Sequence, residues 1–138
     1  VERHLGSFNV PHEQEVAEET LDAHPDLDAI VALMWPSATG ALSTIDSDPA
    51  KSKVKVIGFD PEDFLFASPS LDSVIVQNTR EMGYRAVQII HASLSGKPVP
   101  ARIMLEPLLV TRDNVDSERV RHMTTMDWQP DWNLSHTP

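Results

Sequence analysis

Two short polar groups stand just past the ends of apolar runs. Gly58-Phe59-Asp60 closes the first run, and Gln77-Asn78 closes the second. Both runs read as strands, and a helical stretch follows each. Open α/β sheets bind ligands at the carboxyl ends of their strands, where short polar side chains reach into a crevice. A carboxylate and two amides in such places imply recognition of a small molecule.

Groups that would do covalent or hydrolytic chemistry lack their partners. His12-Glu13 is followed by Val16 and not by a second His, so the helical zinc-protease pattern fails. The six His residues are dispersed without ligand-like spacing. There is no Gly-x-Ser-x-Gly elbow, no Walker loop and no Gly-x-Gly-x-x-Gly turn. Cysteine is absent, which excludes disulfides, thiolate metal sites and Cys nucleophiles but leaves the compartment open. No catalytic residue, metal or cofactor is expected. Asn133-Leu134-Ser135 fits a glycosylation acceptor, a pattern short enough to arise by chance.

A chain of 138 residues can bury one real core. Its net charge of −10, with Lys and Arg scattered singly, argues against nucleic acid as a partner. No apolar run approaches the roughly 20 residues that cross a bilayer, so no membrane insertion is expected. The chain opens on Val1 without a signal peptide, and this reads as an internal start: a processed precursor, a clipped product or a truncated chain.

The elements that would position these groups follow from punctuation and period. Asn9 and Pro11 predict a helix over 12–23, stopped by Pro25, with its Glu-rich remainder as a solvated face. The continuous apolar run 29–34 predicts a strand buried on both faces, as in a parallel sheet. Pro36-Ser37 opens a helix over 37–46. Strand 54–59, a short helix 61–67 and strand 73–77 come next. Helix 80–95 carries Met82, Ala86, Ile89 and Ile90 on one face, with Gly96 as its stop and Pro98 and Pro100 beyond. Residues 102–111 read as extended chain broken at Pro107. Beyond about Asn114 the pattern fades, and 127–138 reads as a polar tail that could pack through Trp128 and Trp132. Strand and helix alternate, which is the sign of βαβ units and a parallel sheet.

In order along the chain stand AHPDLDAIVAL, a TGAL helix, KVIGFD, a strand ending VQN, then EMGYRAVQII, SGKPVP and LVTRDNVD. This series resembles the carboxy-terminal half of the type I periplasmic sugar-binding proteins, whose fold the effector domains of LacI-type repressors share. The likeness covers roughly residues 5–116. It implies a three-layer α/β fold of the class I periplasmic-binding-protein kind, here incomplete. Residues 1–77 would belong to the carboxy-terminal ligand-binding lobe. Residues 78–109 would be a crossover and a segment of the other lobe, and 110–138 the return crossover and tail. Helix 80–95 would then lack the sheet it normally covers. A remnant of a larger protein, or a fragment that associates with a second copy, is the expectation.

The resemblance also implies roles. Asp60 matches a carboxylate that bonds ligand hydroxyls, and a carboxylate suits a polyol because it accepts two hydroxyl hydrogens in one plane. The same Asp could instead cap a helix opening at Pro61. Gln77 matches a ligand-contacting amide at a crossover, or serves the hinge backbone. Asn78 more simply serves the turn. Thr79 replaces the family's frequent Pro, which implies a looser hinge. Phe8 and Asn9 lie where the family has a loop near the cleft, and Arg112, Asp113 and Asn114 match a structural turn.

Met34 and Trp35 depart from the pattern, because the family commonly carries Asn-Asp there. Trp35 could stack on an apolar sugar face or fill a lobe interface. The ligand set implied is Asp60, Gln77, Trp35 and Met34. The function implied is a non-enzymatic solute receptor of a sugar-type ABC importer, periplasmic or otherwise exported from a bacterium. Its partners would be a sugar-like ligand, the transporter permease, and the missing amino-terminal lobe or a second copy. The rivals are a cytoplasmic repressor's effector domain and an associating fragment with no ligand activity by itself. The DNVD continuation and the acidic chain lean toward transport.

Overall fold

Asn9 fixes where the first helix starts. In the computed structural model, which describes residues 1–60 and 67–125, α1 spans Val10–Ala23. The Asn9 side chain accepts from the His12 N–H, and Pro11 sits in the first turn, where its missing N–H costs nothing. His24 ends the helix just before Pro25. After it come β1 (Ala29–Val31), α2 (Trp35–Ser47), a 3-10 turn (Pro49–Lys51), β2 (Lys55–Phe59) and β3 (Leu71–Val76). Then follow α3 (Thr79–Leu94), β4 (Leu108–Thr111) and α4 (Glu118–Thr124). The expected helix 61–67 falls largely outside the described residues. So do the tail with Trp128 and Trp132 and the acceptor at Asn133.

The strands form one sheet in the order β1-β2-β3-β4. β1 pairs parallel with β2, and β2 parallel with β3. The α/β class and the alternation expected from the sequence are both present.

The chain divides into two compact units. The first comprises residues 1–76 and 109–113. Its core joins Ala38, Leu42 and Ile45 of α2 to Val56, Val74, Val76 and Val110 of the sheet. Small residues let α2 approach both neighbours. At Gly58 of β2 a side chain would meet Ala38 Cβ at 3.7 Å and Val74 Cγ2 at 3.5 Å. At Gly40 a Cβ would stand 2.7 Å from the α1 backbone at Glu13 and Gln14, so only glycine fits there. Buried Thr44 adds a hydroxyl bond to the Gln14 carbonyl at 3.3 Å. Arg112 donates to the Ser68 carbonyl and, at 3.5 Å, to that of Leu71, consistent with a structural turn.

The second unit comprises, among the described residues, 77–108 and 114–125. Asn78 caps α3 by accepting from the Glu81 N–H at 3.0 Å, the turn role expected of it. At the other end Gly96 takes φ +70, with Gly96 N–H on Ser93 and Lys97 N–H on Ala92, the paired bonds that close a helix on a left-handed residue. Arg80 Nη1 donates to the Met123 carbonyl at 3.2 Å, and Val120 and Met123 of α4 are buried. Glu81 is the buried residue of α3, and its Oε1 accepts from Arg85 Nε at 2.6 Å.

Several expectations need correction. The run 29–34 is not a strand buried on both faces. β1 is a short edge strand, and Val31 and Leu33 are 61% and 71% exposed. A continuous apolar run shows that a strand wants cover, not that the same chain supplies it. The break at Pro107 stands as expected: residues 102–107 carry no regular element, and Leu108–Thr111 joins the sheet. The region past Asn114 holds α4, capped by Ser117. The face of α1 is not wholly solvated, because Glu13 is 6% exposed.

Candidate functional site at the carboxyl edge of the sheet

Parallel pairing sets the carboxyl ends of β1, β2 and β3 on one edge. Met34 and Asp60 stand three residues past the paired Val31 and Ile57. The ladder runs on beyond β1, because the Ala32 N–H donates to the Ile57 carbonyl at 2.9 Å. Met34 is half-buried and extended (φ −152, ψ 156) at the N-cap of α2. Trp35, the first helical residue, is exposed. Asp60 is half-buried and takes φ 59, a left-handed conformation that Asp tolerates better than most residues. Its N–H donates to the Ile75 carbonyl at 3.0 Å, so the turn starts while β2 is still laddered to β3. Gln77 follows β3 directly and begins the second unit. Its carbonyl accepts from the Thr79 N–H at 3.0 Å. The structure thus brings Met34, Trp35 and Asp60 to one edge of the first unit, and puts Gln77 at the chain's exit from it.

Reading the residues missed a polar cluster beneath Met34. One Glu13 carboxylate oxygen accepts from the Ser7 N–H and, at 3.1 Å, from the Ser7 hydroxyl. The other accepts from the Ser37 hydroxyl at 2.5 Å. Burial pushes this carboxyl up. The Ser37 hydroxyl, the Ser7 N–H and hydroxyl, and the charge of His12 outweigh that and hold it below its usual value. Gly6 packs into the same place: a Cβ there would lie 3.2 Å from Ser37 Oγ, 3.3 Å from Met34 Sδ and 3.4 Å from Glu13 Oε2. The available signal was spacing. Glu13 sits one turn before Ala17 and two before Leu21, on the stripe that α1 buries.

The arrangement offers a carboxylate, an aromatic face and a thioether, which is equipment for holding a molecule. Among the described residues no group of three or more His, Cys, Asp or Glu could hold a metal ion. A depression along α4, lined by Glu118, Arg119, Arg121, His122 and Thr125, includes none of the expected site residues.

The fold has known counterparts. An ABC transporter solute binding protein from Agrobacterium vitis with bound D-fucose is 25% identical with a TM-score of 0.78, over 88% of this chain and 43% of that one. A second from Agrobacterium vitis, bound with alpha-D-tagatopyranose, shares the fold at 21% identity and a TM-score of 0.82, over 89% of this chain and 42% of that one. GanP, a glucose-galactose binding protein from Geobacillus stearothermophilus, is 25% identical with a TM-score of 0.72, over 78% of this chain and 40% of that one. The chain therefore spans less than half the length of these solved structures. No curated protein sequence matches it. Residues 2–115 match the periplasmic binding protein-like domain, and the chain belongs to that family.

Proposed function

We propose that the chain is the carboxy-terminal part of a solute-binding receptor for a sugar-type ABC importer. It holds a small polar ligand without chemistry. The observation that carries this reading is that parallel strands bring Met34, Trp35 and Asp60 to one edge in a chain of this family. Asp60 accepts ligand hydroxyls, Trp35 offers a stacking face, and Gln77 bonds the ligand from the crossover. The bound D-fucose and tagatopyranose of the similar receptors support a sugar-like ligand. Met34 and Trp35 in place of two polar residues favour a ligand with one less polar face.

Residues 1–77 form part of the carboxy-terminal lobe in this reading, 78–109 a crossover and a segment of the other lobe, and 110–138 the return and tail. The change of unit at Gln77 and again at Leu109 supports the first two boundaries, and a third change falls at Asn114, within the return and tail. The bareness of α3 supports it too. Met82, Val87, Ile90 and Leu94 are all exposed, and burying such side chains is worth about 1.5–3 kcal/mol each. Their cover is the rest of the receptor, or a second copy when the chain is alone. The receptor is exported and docks on its permease. None of the described helices is long and apolar enough to cross a membrane.

Calorimetric titration of the complete receptor with D-fucose, D-tagatose and D-arabinose tests the reading. Saturable binding of one sugar without its conversion supports it. Conversion of a sugar, or no binding across a wider sugar panel, overturns it. The coding sequence upstream of Val1 separates transport from repression: an export signal and a further α/β half support the receptor, and a helix-turn-helix contradicts it.

A further inference from the structure

The start of α2 carries no side-chain cap. Its N-cap is Met34, whose thioether, a weak acceptor, makes no cap bond, and Pro36 in the first turn has no N–H. Ser37 instead ties that turn to α1, through its 2.5 Å bond to the buried Glu13 carboxylate. The other oxygen of the same carboxylate holds Ser7, so the segment Gly6-Ser7 lies against Met34 and Ser37. Hydrogen bonds to an ionised group are the stronger kind, and burial removes competing water.

We infer that Glu13 is a positioning residue for Met34 and Trp35, acting through Ser37 and the Gly6-Ser7 strap; the ligand role of Met34 and Trp35 is that of the receptor reading above. Contact residues on a helix start with no cap of its own need such support, because a loosely held site loses its geometry. Glu13 touches no ligand in this account. It sets where the rim stands.

The test is fluorine NMR of the full chain labelled with fluorotryptophan, with the Trp35 resonance assigned through Trp35→Phe. Ser37→Ala removes only the hydroxyl, and Glu13→Gln removes the charge at nearly constant shape. Thr44→Ala is the control, because it cuts a half-buried bond between the same two helices away from the rim. The expected result is a shifted or broadened Trp35 resonance in Ser37→Ala and Glu13→Gln, and an unmoved one in Thr44→Ala at similar loss of melting temperature. In the complete receptor, D-fucose as the probe then binds Ser37→Ala about tenfold more weakly than wild type, the scale of one charge-assisted hydrogen bond. An unmoved Trp35 in Ser37→Ala overturns the inference even if Glu13→Gln fails to fold. So does an equal shift in Thr44→Ala. A complete receptor whose wild type binds no sugar counts against the receptor reading alone, because the Trp35 shift needs no ligand.

Discussion

Helices α2 and α3 are alike in length and opposite in fate. α2 is built largely from Ala, Gly, Ser and Thr, yet it buries Ala38, Gly40, Ala41, Leu42, Thr44 and Ile45. α3 carries the larger apolar side chains, and its buried residue is a glutamate. Ile90 is 58% exposed and Leu94 84%. The difference lies in what surrounds each helix. α2 has α1 on one side and the sheet on the other, and small residues bring both close. α3 has a stripe ready for burial and little within its own unit to bury it against. Amphipathic pattern states what a helix needs, and the neighbours decide whether it is met.

The glycines break this comparison most directly. Gly40→Leu drives a side chain into the α1 backbone and should cost at least about 3 kcal/mol. Gly83 of α3 has nothing within 4 Å of a Cβ, so Gly83→Ala should stabilise by about 0.5–1 kcal/mol. Denaturant titration reads both, and equal effects at the two sites would erase the contrast.

A smaller separation is expected from two isoleucines. Ile45→Ala should cost about 2–4 kcal/mol, since Ile45 is buried. Ile90→Ala should change the stability of the chain by no more than about 0.5 kcal/mol when it is monomeric. Light scattering sharpens the point. Concentration-dependent association that weakens in Ile90→Ala fits a bare α3 face. A cooperatively melting monomer at all concentrations contradicts the claim that this face needs cover.

The smallest effect is acid sensitivity. The Glu13 carboxyl is held below its usual 4.5, so its contribution is complete above about that pH. It is lost as pH falls through the lowered folded value. Wild type should therefore lose more stability below pH 4.5 than Glu13→Gln, with the two curves parallel above it. Melting curves across that range check the sign.

Much of the scaffold was legible. Asn9, Pro11, Pro25, Asn78 and Gly96 each announced a helix end, because caps and breakers act locally. The placing of Asp60 past β2 and Gln77 past β3 followed from apolar runs ended by polar residues. Three things were not legible. The exposure of β1 depends on a neighbour, which a run of six apolar residues does not reveal. The cluster of Glu13, Ser7 and Ser37 rests on a bond between residues 24 positions apart, Glu13 and Ser37, and acidic residues in an acidic helix look like solvent contacts. α4 is two turns long, too short for its Val120–Met123 spacing to stand out.

The most direct test of the central claim, that polar groups at the carboxyl edge hold the ligand, is the affinity of Asp60→Ala in the complete receptor for the sugar its wild type binds. The account predicts a loss of about 1.5–3 kcal/mol with the fold intact, as for a hydrogen bond to a charged group. A change below about 1 kcal/mol would remove Asp60 from the site and contradict the account.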